Sequence, residues 1–173
     1  MTSTHTISLY AASIPVFKQM LHSMNDVIAK AVLHADNKKI APQIFLDARL
    51  TPDMLPLLRQ IQIACDFARG TASRLAGMDV PANEATEQTF ADCQALIIST
   101  VNFLDTIAPA AIDGQENRQI VLRPGTPKER HLNGQAYLLS YSLPQFFFHV
   151  TTTYAILRHN GVEIGKKDYM GTY

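Results

Sequence analysis

His149 sits in the stretch "LPQFFFHVTTTYAILRHNG", residues 143–161, four positions after Gln145. On a helix, side chains four apart share a face. An amide oxygen and an imidazole nitrogen could therefore present two donors to one divalent metal such as zinc or nickel. An acid from a facing helix, Asp66, would add a third, with Gln62 one turn above it. Gln145 is the weak member, because an amide oxygen is a poor donor to these metals beside imidazole or carboxylate. The competing reading makes His149 a neutral core histidine, hydrogen-bonded to a side chain or to water. A catalytic reading, with His149 as general base in an interhelical pocket, requires Gln62, Asp66 and Gln145 to converge within hydrogen-bonding range of it.

Gln62, Asp66, Arg69 and Ser73 recur at steps of four and three along one edge of their helix. A charge row beside an apolar stripe is usually solvated, and Asp66 and Arg69 can pair across one turn. The other histidines carry no functional assignment. His5, His22 and His34 have no partner at ligand spacing, His131 falls in a turn-rich region, and His159 beside Arg158 suits the negative end of a helix dipole. Cys65 and Cys93 lie mid-helix in apolar patterns and read as small buried hydrophobes. Asp47, Arg49 and Asp53 cluster around a helix start as a structural ion-pair group. No helix follows the glycines of "GVEIGKKDYMGTY" to complete a phosphate loop, so this segment reads as a tail lying over the bundle or over a second subunit.

Four long segments must position these residues. Tyr10, Ile14, Phe17, Leu21, Met24, Ile28 and Ala31 mark a first helix over about residues 6–35; Pro15 either opens it in the first turn or kinks a helix running from Thr6, and the kink is favoured because Ile7 and Tyr10 continue the stripe. Residues 37–50 form an extended crossing. Thr51-Pro52-Asp53 supplies a cap, a first-turn proline and a first-turn acid, so the second helix is expected to run from there to Gly77. Its apolar centre is Met54, Leu57, Leu58, Ile61, Cys65, Ala68 and Ala72. Phe90, Cys93, Ile97, Val101 or Thr100, Leu104 and Ile107 mark a third helix, stopped by Pro109. Residues 119–132 alternate on either side of Pro-Gly-Thr-Pro as a β-hairpin. The fourth helix starts at Asn133 or Gly134 and reaches Asn160-Gly161, with a kink near Pro144. The fold class is all-α: a four-helix bundle with a small hairpin inserted before the last helix.

Composition narrows the setting. A chain of 173 residues reads as one domain, 1–173, and 15 basic against 15 acidic residues leave no long-range field for nucleic acid or an anionic membrane. No membrane span and no signal peptide is visible, which points to the cytoplasm. Two distant cysteines exclude a disulfide framework.

The order of helices, with "FLDARLTPDM", "IQIACDFARG" and "PQFFFHVTTTYAILRHNGVEIGKKDYMG", resembles a family of uncharacterised bacterial proteins in the DinB/YfiT-like metalloenzyme superfamily. The resemblance covers essentially the whole chain. It implies a DinB-like four-helix bundle, a homodimer, and a metal held by one histidine on helix two and two histidines four apart on helix four. His149 matches the second of that pair and Gln145 stands where the first would be. Helix two holds no histidine, Gln62 and Asp66 being the nearest polar residues, so the metal site is degenerate. Two functions follow: a small-molecule pocket between helices two and four, or a non-enzymatic dimeric bundle that has lost the metal site.

Overall fold

The computed structural model describes residues 7–82 and 84–173. Helix α1 spans Ile14–Lys38, and its stripe of Ile14, Phe17, Leu21, Met24, Ile28 and Ala31 is buried. Pro15 lies in its first turn, so the expected kink is absent; there the missing N–H costs nothing. Thr6, the expected start, lies outside the described residues. The turn before the helix is tethered instead, Tyr10 N–H donating to Asp113 at 2.9 Å.

The crossing after α1 is not extended throughout. Pro42–Leu46 form a short helix, α2, with proline in its first turn, and Phe45 and Leu46 plug the core. Helix α3 runs Leu57–Ala76, starting later than the Thr51-Pro52-Asp53 signal indicates. Pro56 decides this, because a proline pushes the preceding residue, Leu55, out of the helical region. Thr51 Oγ1 donates to Asp53 at 2.5 Å within a separate turn. Gly77, at φ 70°, terminates α3 as expected.

Helix α4, Phe90–Asp105, opens on a capping box in which Thr89 and Asp92 each bond the other's backbone N–H. A short helix α5, Pro109–Ile112, follows. Strands β1, Gln119–Leu122, and β2, Arg130–Asn133, pair antiparallel with Ile120 opposite Leu132 and Leu122 opposite Arg130. Asn133 then caps the one-turn helix α6, Gly134–Ala136, accepting from Ala136 N–H at 2.7 Å.

The chain next widens into a π-helical segment, Tyr137–Ser142, before resuming as α7, Leu143–His159. Irregularity near Pro144 is expected, and its form is a π turn. Pro144 has no N–H to give the turn before it, which frees that turn to open. Helix α8, Lys166–Met170, lies back over α1: Ser23 Oγ reaches the carbonyl of Asp168 at 2.7 Å, and Lys30 pairs with the Asp168 carboxylate at 2.5 Å.

The long helices α1, α3, α4 and α7 form the bundle. Helix α3 packs between α7 and α4, and α1 against α4 and α7. Phe17 and Phe146 meet edge to face at 4.8 Å in its centre. Cys65 and Cys93 are buried, and desolvation pushes both thiols up to about 12. They are unreactive packing residues.

Candidate functional site: the seam between α3 and α7

Gln60, Ala64, Phe67, Thr71 and Arg74 recur along α3 at steps of four and three, and this stripe faces α7 and the π turn. Three polar pairings run down the antiparallel seam: Gln60 with His149, Thr71 with Ser142, and Arg74 with Tyr137. His149 Nδ1 lies 2.7 Å from Gln60 Oε1. The same amide donates through Nε2 to the Leu55 carbonyl at 2.9 Å. That second bond fixes the amide: Oε1 accepts, so Nδ1 carries the imidazole proton and Nε2 holds the lone pair. His149 is only 8 % exposed, and burial lowers its pKa, favouring the neutral ring. The ring stacks on Phe67, centroids 6.0 Å apart and planes 18° apart, with Phe148 at its edge.

The expected convergence on His149 is not formed by Gln62 or Gln145. Gln62 is buried but turned away, accepting from Arg59 at 2.5 Å and donating to Glu87 at 2.7 Å. At roughly 100° per residue, Gln60 and Gln62 stand on opposite sides of α3, and α7 lies on the Gln60 side. Gln145 is exposed at the rim of a cleft. Asp66 pairs with Arg69 at 2.9 Å, as the charge-row reading expects, and also borders the cleft. Ser73 is fully buried.

The donor set does not fit the metal that the resemblance implies. Among the described residues, no three His, Cys, Asp or Glu side chains gather closely enough to hold an ion. A structural or catalytic zinc needs at least three protein donors. His149 supplies one nitrogen, and its hydrogen-bond partner is an amide.

The cleft opens at the other end of the seam. Two adjoining cavities, of about 220 and 370 Å3, share Leu122, Arg123 and Tyr141 as walls. The first is completed by Asp66, Phe67, Arg74 and Tyr137, the second by Lys128, Arg130 and Gln145. Tyr137 and Tyr141 stack at 5.9 Å, one π turn presenting both rings to α3. Phe67 joins the two regions, touching the His149 ring on one side and the cleft on the other. Sequence reasoning missed Gln60, Phe67, Thr71 and Arg74, although their spacing alone puts them on one face.

The model of a domain of unknown function, DUF1993, matches residues 9–170. The chain belongs to the DUF1993 family. A crystal structure of a DinB family member protein from Shewanella denitrificans is 36% identical to this DUF1993 chain. The match covers 95% of this chain and 93% of that one, with a TM-score of 0.90. The DinB-like bundle with a hairpin before its last long helix is thereby established for the DUF1993 domain. No curated protein matches it. Among the described residues no helix is long and apolar enough to cross a membrane.

Proposed function

We propose that this chain is a small-molecule-binding member of its family, with the ligand in the cleft between α3, the hairpin and the π turn. The supporting observation is the shared wall of the two cavities. Three separate elements bring Phe67, Tyr141, Leu122 and Arg123 to one opening, where aromatic and aliphatic side chains stand among polar and charged groups that can orient a ligand. Asp66 and Gln145 both fall on its border. In this reading His149 is a positioning residue. Its bond to Gln60 locks the seam and its ring backs Phe67, fixing the aromatic floor.

The reading assigns no metal-dependent chemistry, because one imidazole engaged with an amide makes a poor ligand set. Titrating the protein with zinc and with nickel is expected to leave the thermal midpoint unmoved, since only a ligand that prefers the native state raises it. Saturable stabilisation at one metal per chain would overturn this part. Binding itself is tested by following backbone amide resonances of the labelled full chain as small aromatic fragments are added. Saturable shifts at Phe67, Leu122, Arg123 and Tyr141 support the cleft, and shifts confined elsewhere defeat it. We also propose a homodimer, as the resemblance implies, and light scattering at twice the chain mass is the expected result.

A further inference from the structure

We infer that the cleft selects an organic anion, a carboxylate or phosphate attached to an apolar or aromatic body. This deepens the reading above and rests on it. Arg74 from α3 and Arg123, Lys128 and Arg130 from the hairpin all line the two cavities. Among the described residues none of these four cations is in an ion pair. The acids nearby are already engaged. Asp66 pairs with Arg69, while Glu129 accepts from Gly125 N–H at 2.6 Å and bonds His131 at 2.7 Å. Those bonds to Gly125 and His131 hold the Glu129 carboxyl below its usual range. A chain with no net charge thus concentrates unpaired positive charge at one opening. A partly walled cleft focuses such a field on a small anion.

Two backbone features deliver these cations. Arg123 adopts φ 51°, a left-handed conformation that costs a side-chain-bearing residue about 1–2 kcal/mol. An arginine nevertheless occupies this position, and it is the cation shared by both cavities. Gly70 is the second. A Cβ built there would come 2.6 Å from Arg74 Nη1, so the absent side chain lets the guanidinium fold back along α3. From that position Arg74 donates to the Tyr137 hydroxyl at 3.2 Å and faces the cleft. Phe67, Tyr137, Tyr141 and Leu122 would cover the apolar body, while the guanidinium forks take the anionic oxygens.

The test is an amide-resonance titration of the full chain with phenyl phosphate, with benzyl alcohol and with inorganic phosphate. Phenyl phosphate is expected to give saturable shifts over residues 66–74, 122–130 and 137–145, and to bind at least about tenfold more tightly than either control. Arg123→Gly, which also relaxes the left-handed backbone, and Arg74→Gln should each weaken it by about tenfold, and the spectrum of each variant reports its fold. If benzyl alcohol binds the same residues equally well, the cleft reading survives and anion selection is wrong. If neither aromatic probe moves cleft residues, both readings fail. Unchanged affinity in both arginine variants overturns the assignment of the cations.

Discussion

The two ends of the α3–α7 seam handle polarity in opposite ways. At the Gln60–His149 end the polar atoms are buried, neutral and matched one to one, and aromatic rings close over them. At the Arg74–Tyr137 end a π turn packs on α3, and the hairpin contributes exposed cations that have no carboxylate partner among the described residues. Burying a charge costs several kcal/mol unless it is paired, whereas a neutral hydrogen bond in the interior contributes about 1 kcal/mol net. The closed end could therefore be sealed only with an imidazole in its neutral form. The open end keeps its charge because it keeps its water. Phe67 spans the two, so the rigid end sets the floor of the responsive one.

The largest expected effect comes from breaking the closed end. His149→Ala removes a stacked ring and leaves Gln60 Oε1 buried without its partner, for a loss of about 3 kcal/mol by urea unfolding. Replacing both partners together, Gln60→Met with His149→Phe, should recover to within about 1 kcal/mol of the parent, because no polar atom is then stranded. If the double variant is as unstable as the single one, the pair is doing something other than satisfying its own hydrogen bond.

Acid separates the same two ends along the pH axis. Burial lowers the His149 pKa below its ordinary 6.5, so the unfolded chain takes up this proton first. The stabilisation is complete above about 6.5 and is lost as pH falls from there to the folded value. The Gln60→Met, His149→Phe variant should lack this limb. A second limb comes from the lowered carboxylates, among them Asp92, bonded by the Gln88 and Thr89 backbone and the Thr89 hydroxyl, and Asp168, bonded by Lys30 and Gly165. Their pKa values are lowered from 3.8, so that stabilisation persists above 3.8 and disappears as pH drops through the folded values. Unfolding midpoints recorded from neutral pH downward resolve the two limbs, and a single limb would mean that His149 titrates as it does unfolded.

The long helices were legible because their apolar stripes are continuous, and the hairpin because Pro124-Gly125 separates two alternating runs. Local signals in competition were harder to read. Thr51-Pro52-Asp53 is a good helix start that lost to Pro56 four residues later, and Pro42 opened a helical turn once Phe45 and Leu46 had a core to enter. The π turn depends on how Tyr137 and Ser142 meet α3, a tertiary fact with no sequence period of its own. For the site, the pattern that stands out in the sequence is the charged edge of α3, Gln62, Asp66 and Arg69, and not the stripe through Gln60, Phe67, Thr71 and Arg74. The second stripe has the same spacing and was equally visible. Apolar and polar residues are mixed along it, however, so neither a hydrophobic nor a charged pattern singles it out. The basic opening was hidden by averaging, since a net charge of zero says nothing about where the 15 positive side chains gather.

The smallest change in stability should accompany a sharp change at the open end. Gly70→Ala gains about 0.5–1 kcal/mol of helix propensity in the interior of α3. The new methyl displaces the Arg74 guanidinium, which approaches within 2.6 Å of that position, and so gives up the bond to Tyr137. A neutral acceptor bonded by a charged donor is worth about 1–2 kcal/mol when partly exposed, so the two contributions nearly cancel. Urea unfolding should then move by less than about 1 kcal/mol while phenyl phosphate affinity falls several-fold. The two readouts together are the informative measurement. A variant that is more stable and binds as tightly as the parent would show that Arg74 reaches the cleft without the gap at Gly70. Equal losses in stability and affinity would tie the open end to the packing of the seam and remove the contrast between its two ends.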